Sequence, residues 1–219
     1  MNNIAIIIPS RLHAKRLPNK PLKLINNKEM ILHVQETALK ANIGEVFVAT
    51  PDQEIHDLVE KNGGNSVLTS NKHETGTDRM YEVFEKKLGS KPDLIINFQG
   101  DMPNFNPSAI TNLSNHMKKN LCDLGTLASN LKKEEEKDLN AVKVSVSKKL
   151  EKNSFSRALD FFRISNSPIS QPTYHHVGIY AFTKEALLRY VTLERSKNEL
   201  KRNLEQLRAL ENNMKIDVG

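Results

Sequence analysis

The chain has 219 residues, 38% of them hydrophobic and 26% charged, with a net charge of +6. That balance argues against wholesale disorder and leaves ample chain for a core, so a single α/β domain over 1–219, carrying an excursion, is the simplest organisation. The cations lie among acids with no basic block or interleaved aromatics, which argues against a nucleic-acid partner, and the single Cys122 excludes an internal disulfide and argues against a metal site built on cysteines.

Taken in order, Ile4 to Ile8 is a short apolar run stopped by Pro9, as suits a strand buried on both faces. Arg11, Lys15, Arg16 and Lys20 follow in a loop punctuated by Pro18 and Pro21. Ligands of open α/β sheets bind beyond the carboxyl ends of the strands, so this loop is read as a grip for phosphates, with a solvated basic loop as the plain alternative. Pro9 and Arg11 also cut the apolar run short of a signal peptide, and no stretch approaches the roughly eighteen apolar residues of a membrane span. A cytoplasmic protein without membrane insertion is expected.

Met30 to Ala41 has helical spacing, with Asn42 and Gly44 ending it. Glu45 to Thr50 reads as a strand, and Pro51-Asp52 opens a helix that Gly63-Gly64 stops. Ser66 to Thr69 is a short strand, Met80 to Leu88 a helix, and Asp93 to Phe98 a strand suited to the middle of a sheet. This alternation calls for a parallel sheet with right-handed crossovers. Neither G-x-G-x-x-G nor G-x-x-x-x-G-K-[ST] is present, so bound phosphates would rely on side-chain cations and loop amides.

Asn106-Pro107 caps a helix to about Lys119. Beyond Asp123 the texture turns to strands: Leu124 to Leu131, Val142 to Val146, Ser154 to Leu159 and His175 to Phe182, with a charged loop at Lys132 to Asp138 and an irregular stretch from Asp160 to Pro172. A helix from Thr183 to Tyr190 follows. Leu193 to Leu210 reads as one long charged helix with Leu200, Leu204, Leu207 and Leu210 on one side, and Met214 to Val218 is a last apolar piece.

Two segments carry candidate chemistry. Gln99-Gly100-Asp101 directly follows a strand, where a carboxylate suits a Mg²⁺ ligand; a turn residue is the alternative for Asp101. Thr75 to Arg79 precedes a helix, with Thr77 as its expected cap and Gly76 permitting close approach of a base or phosphate.

Joined in order, I-I-P-S-R-x(4)-R-L-P-N-K-P-L, H-E-T-G-T-D-R, N-F-Q-G-D, N-A-V-K-V, F-S-R-A, H-H-V-G-I-Y and L-E-Q-L-R span Ile4 to about Val218. This set resembles the 3-deoxy-manno-octulosonate cytidylyltransferase family, also called CMP-Kdo synthetases; its first and last motifs separate it from looser relatives such as the CMP-sialate synthetases. The resemblance implies a nucleotide-diphospho-sugar-transferase-like α/β fold, with a mostly parallel Rossmann-like sheet and a smaller β-rich dimerisation arm over about 123–175. It also implies a reaction: CTP and the sugar acid Kdo give CMP-Kdo and pyrophosphate, with Mg²⁺, in a homodimer serving lipopolysaccharide synthesis. Arg11, Arg16 and Lys20 match the triphosphate-binding loop, Pro9, Ser10 and Leu12 line the nucleotide, and Thr75, Gly76 and Arg79 match the segment that helps select cytosine. Gln99 matches a nucleotide contact and Asp101 a metal ligand, and Lys20, Asp101 and Arg16 are the expected catalytic set. Arg157, His176, Tyr180, Glu205 and Gln206 match the region receiving the sugar acid. A buried histidine on an apolar strand is the alternative for His176.

The match has departures. The family continues past Asp217-Val218-Gly219 with a segment whose aspartate is a second metal ligand, so an impaired or truncated nucleotide-binding protein without catalysis is one alternative. Met102 stands where the family usually has an acid, Leu159-Asp160-Phe161-Phe162 replaces x-I-P-[FYW], and Arg202 replaces an acid. A sibling cytidylyltransferase acting on another acidic sugar is the second alternative.

Overall fold

Isoleucines at consecutive positions suit a strand covered on both faces, and β1, Ile4–Pro9, is buried along its whole length. The computed structural model describes residues 3–13, 17–119, 121–164 and 170–219, so Lys15 and Arg16 lie outside the described residues. The chain divides into two units, Met1–Ser114 and Asn115–Gly219.

In the first unit, β2 (Leu24–Ile25) and β3 (Lys28–Glu29) form a small antiparallel hairpin. Its turn residues Asn26 and Asn27 both have positive φ, 50° and 62°, as a two-residue hairpin turn requires. Next come α1 (Met30–Ala41), β4 (Glu45–Thr50), α2 (Gln53–Lys61), β5 (Ser66–Leu68), α3 (Gly76–Lys86), β6 (Leu94–Phe98) and α4 (Pro107–Met117), whose end from Asn115 onward belongs to the second unit. Strands β4 and β6 flank β1 and β5 flanks β4, all parallel. The carboxyl ends of β1, β4 and β6 therefore share one edge, and the loops after them are brought together there. The helix predicted to begin at Met80 begins at Gly76 instead. The cap is Thr75, whose hydroxyl accepts the Asp78 N–H while Asp78 answers to the Thr75 backbone. Thr77, the expected cap, is buried and accepts a hydrogen bond from Asn97 at 3.2 Å.

The second unit contains β7 (Leu124–Ser129), β8 (Lys143–Val146), β9 (Ser156–Phe162), β10 (Thr173–Thr183), α5 (Lys184–Thr192), α6 (Lys197–Arg202), α7 (Gln206–Glu211) and β11 (Ile216–Val218). Here β7 pairs antiparallel with β10 and parallel with β11, while β9 pairs antiparallel with β11 and β8. Strand β8 also pairs with the start of β10, which closes these strands into a ring. Asp160 to Phe162, expected to be irregular, continues β9, because Phe161 is fully buried and Phe162 pairs with Lys143. The expected long helix over Leu193 to Leu210 is two short ones broken at Asn203, whose φ is 53°. The leucine spacing runs across that break, which leaves Leu200 56% exposed while Leu204 and Leu207 are buried.

Candidate functional site

At the shared strand edge of the first unit lies an open cleft of about 220 Å³. Its walls include Pro9, Ser10 and Arg11 from the end of β1, Lys20 and Pro21 from a short 3-10 turn, and Gln99, Gly100 and Asp101 after β6. Thr75, Gly76 and Arg79 come from the start of α3. Leu12 is just outside this lining; its N–H donates to Asp52 Oδ2 at 2.8 Å and ties the basic loop to the loop after β4. Two glycines make the walls meet. A side chain at Gly76 would come 3.3 Å from both Gln99 Nε2 and Pro9, and one at Gly100 would come 2.9 Å from the Pro9 carbonyl.

The cleft is built for negative charge. Arg79 is buried, and its guanidinium donates to Thr69 Oγ1 and to the Ser70 carbonyl at 2.9 Å. Burial, and then the neighbouring Arg11 cation, hold it below its ordinary pKa, a strain that an anionic ligand relieves. The free N–H groups at the start of α3 add positive potential. Ser10 Oγ is buried on the wall without a hydrogen-bond partner among the described residues, as expected of a group awaiting a polar ligand. Lys20 Nζ bonds Asp101 Oδ2 at 2.9 Å, and the Asp101 side chain is half exposed. A solvent-facing carboxylate fits Mg²⁺, which keeps water and takes one or two carboxylates beside phosphate oxygens.

His73 and Glu74, which sequence reasoning left without a role, also line the cleft, as does Met30. The signal was their place directly ahead of Thr75 in the H-E-T-G-T-D-R motif. His73 is held by Glu82. Burial alone would raise the Glu82 carboxyl, but bonds from His73, the Ser70 N–H and Lys86 bring it down to about 2.

The residues expected to receive a sugar acid fall in the second unit, in two places. His176, Tyr180 and Gln206 come together. Tyr180 donates to Gln206 Oε1 at 3.0 Å, and the His176 ring lies 5.5 Å from that of Tyr180 and edge-on to Phe161 at 5.1 Å. His176 Nε2 pairs with Thr126 Oγ1 at 3.0 Å. Burial, and then His175, push His176 down to about 3, so it is neutral at pH 7. Burial, and then Glu205, push the Tyr180 phenol well above its ordinary value. Gln206 Nε2 is buried without a hydrogen-bond partner among the described residues, and Glu205 precedes Gln206 at the start of α7. Arg157 stands apart from this group, opposite Asp217 in the β9–β11 register with Nη2 3.3 Å from Asp217 Oδ1. Two of the departures from the family pattern touch each other: Arg202 Nη1 donates to Asp160 Oδ1 at 2.6 Å and to the Phe161 carbonyl at 2.9 Å.

A family model described as Cytidylyltransferase matches residues 5–216. The 3-deoxy-manno-octulosonate cytidylyltransferase of Bartonella tribocorum (strain CIP 105476 / IBS 506) is 40% identical over 97% of this chain and 88% of that protein. The same enzyme of Brucella ovis (strain ATCC 25840 / 63/290 / NCTC 10512) is 41% identical over 97% of this chain and 85% of that protein. A solved CMP:2-keto-3-deoxy-manno-octonic acid synthetase complexed with CTP is 36% identical, with a TM-score of 0.88 over 99% of this chain and 89% of that one. A UDP-glucose pyrophosphorylase complexed with UDP-glucose shares the fold alone, at 14% identity and a TM-score of 0.71 over 100% of this chain and 90% of that one. The chain therefore belongs to the cytidylyltransferase family and, within it, to the 3-deoxy-manno-octulosonate cytidylyltransferases.

Proposed function

We propose that this chain joins CMP from CTP to Kdo, releases pyrophosphate and so activates the sugar for lipopolysaccharide synthesis. The observation that carries the reading is the cationic cleft, with Arg11, Lys20, Arg79 and Asp101 on its walls, in a chain 40% identical to enzymes of that name. The anomeric hydroxyl of the sugar attacks the α-phosphorus in line. A phosphorus–oxygen bond forms there, the bond to the bridging oxygen breaks, pyrophosphate leaves, and the hydroxyl proton passes to solvent. Such transfers need positioning and charge neutralisation more than covalent help.

Arg11 offers a planar fork to phosphate oxygens and Lys20 a point charge. Gly76 lets the backbone at the start of α3 approach the nucleotide closely. Asp101 would hold Mg²⁺, which when bound neutralises phosphate charge and acidifies the attacking hydroxyl. With the carboxylate so engaged, Lys20 would be released from Asp101 to serve the triphosphate. Neutral His176 and Tyr180, with Gln206, suit the hydroxyls of a sugar.

The proposal includes a homodimer, supported by Leu121, Leu139, Leu159 and Leu200 exposed on the second unit, at 58%, 66%, 44% and 56%. It also includes a cytoplasmic location, which use of CTP favours; no helix among the described residues is long and apolar enough to cross a membrane. The test is pyrophosphate release from CTP and Mg²⁺, with and without Kdo. Release that requires Kdo is expected. CTP binding without turnover, with Kdo or with any of a panel of acidic sugars, would overturn the reading.

A further inference from the structure

In the second unit three side chains of different ligand chemistry converge. His116 is in the last turn of α4, Cys122 lies just ahead of β7, and Asp217 is on β11. One imidazole nitrogen, the thiol sulfur and one carboxylate oxygen all lie within 4.8 Å of one another. Cys122 and Asp217 are buried, and the His116 side chain is only 10% exposed.

The surroundings orient His116 and Asp217, while the Cys122 thiol donates to Met117 Sδ at 3.5 Å. The His116 ring stacks on Phe155 at 3.8 Å and 4°, which fixes its plane. Its Nε2 meets Asp217 Oδ2 at 2.8 Å. In the strand register Asp217 stands opposite Gly125 on β7, which offers no side chain, and opposite Arg157 on β9. Arg157 takes the other carboxylate oxygen, Oδ1, at 3.3 Å. The carboxylate is thus divided, with one oxygen toward a guanidinium and the other toward an imidazole near a thiol.

We propose that His116, Cys122 and Asp217 form a site for a borderline divalent transition ion such as Zn²⁺ or Co²⁺. A lone cysteine argues against a cysteine-built site, but a mixed nitrogen, sulfur and oxygen set is a different donor group, and one that such ions accept. Mg²⁺ is disfavoured here, since it takes oxygen donors in an octahedron. Binding releases the thiol proton, and thiolate plus carboxylate then balance the charge of the ion. Arg157 serves as the outer partner of the ligating carboxylate, as ligands of this kind require.

Tetrahedral geometry spaces donors by about 3.3–3.8 Å. The His116–Asp217 contact therefore opens by about 0.5 Å and the sulfur moves in by up to about 1 Å. The fourth position goes to water. A filled site ties β11 to the end of α4 and the entry of β7.

The experiment titrates Co²⁺ into the tag-free, chelator-stripped 219-residue chain and follows absorbance. We expect saturation at a single equivalent, with a thiolate-to-cobalt charge-transfer band and tetrahedral d–d bands, displaced by Zn²⁺ but not by Mg²⁺. Cys122→Ser should abolish the charge-transfer band. Arg157→Gln should keep it while weakening binding about 10- to 100-fold. If Cys122→Ser fails to fold by circular dichroism, His116→Gln replaces it, with loss of the tetrahedral bands expected. No charge-transfer band in the unaltered chain, or a band that survives both ligand substitutions, would overturn the site and leave a hydrogen-bonded cluster only.

Discussion

The cleft of the first unit is open, cationic and assembled from strand ends, whereas the Tyr180 cluster of the second unit is closed, neutral and held by hydrogen bonds. In the cleft, Arg11, Lys20 and Arg79 gather beside Asp101 and Glu74, with Asp52 and Glu82 as further acids acting on Arg79. In the cluster, burial has removed charge: His176 sits at about 3 and the Tyr180 phenol is raised. The difference teaches how one chain treats two kinds of polar surface. One surface keeps fixed cations where solvent still reaches them, and the other keeps uncharged donors and acceptors whose desolvation is already complete.

The largest effects test the charged half. Asp101→Asn keeps shape and removes charge. Pyrophosphate release should fall by roughly 10²-fold or more, reflecting several kcal/mol of phosphate neutralisation, and raising Mg²⁺ should not restore it. An effect under about threefold would mean that the carboxylate serves only as the partner of Lys20.

Next comes the support of the neutral half. Glu199 is fully buried and takes two bonds from Arg208, at 2.9 and 2.7 Å, with Arg195 at 3.0 Å. Arg208 also lies 4.6 Å over the Tyr190 ring. Arg208→Ala strips a buried carboxylate of its main partner and should cost about 3–5 kcal/mol in denaturant unfolding. Because α7 carries both Arg208 and Gln206, the Michaelis constant for Kdo should rise while that for CTP stays put. Equal rises for both substrates would argue that the two regions are not separable in this way.

The neutrality of the cluster gives a pH signature. His176 has a folded pKa of about 3 against an ordinary 6.5. Its contribution is fully present above pH 6.5. Below that the unfolded chain takes a proton that the folded chain refuses, so stability falls by about 1 kcal/mol per pH unit toward pH 3. Urea midpoints at a series of pH values should show this slope, and His176→Gln should flatten it. A slope that persists in the variant would assign it to other groups. On a smaller scale, Tyr180→Phe leaves Gln206 Oε1 without its donor and should cost about 1–3 kcal/mol.

The charged half was the more legible in sequence, for a physical reason. Parallel strands alternate with helices, and β1 and β6 end at loops that carry candidate residues, so order along the chain maps onto one edge. Pro9, Ser10, Lys20, Gln99 and Asp101 could be placed that way, and all line the cleft. The cap on α3 could not be told apart locally, since Thr75 and Thr77 both precede a helical pattern, and only the answering Asp78 decides for Thr75. The second unit hid more. Its ring of strands pairs residues far apart in sequence, so nothing local shows that Arg157 faces Asp217 while Tyr180 faces Gln206. The leucine period across Asn203 looked continuous because periodicity is blind to a single left-handed residue that ends one helix.

The smallest predicted effect concerns the two positions where the chain departs from its family next to that ring. In sequence, Arg202 and the Leu159-Asp160-Phe161-Phe162 stretch are separate departures that leave a sibling enzyme for another acidic sugar as an alternative. In the fold Asp160 and Arg202 answer each other at 2.6 Å, with side chains 43% and 34% exposed. Solvent screening limits such a pair to about 0.2–1 kcal/mol. Arg202→Ala should therefore lower the urea midpoint only slightly and leave the ratio of turnover with Kdo to turnover with other acidic sugars unchanged. Double substitution of Asp160 and Arg202 by alanine should cost little more than Arg202→Ala alone, the excess being the bond that Asp160 Oδ1 accepts from the Phe161 N–H at 2.8 Å. A shift in sugar preference with either change would place these residues in contact with the acceptor and move the boundary of the neutral region outward to include them.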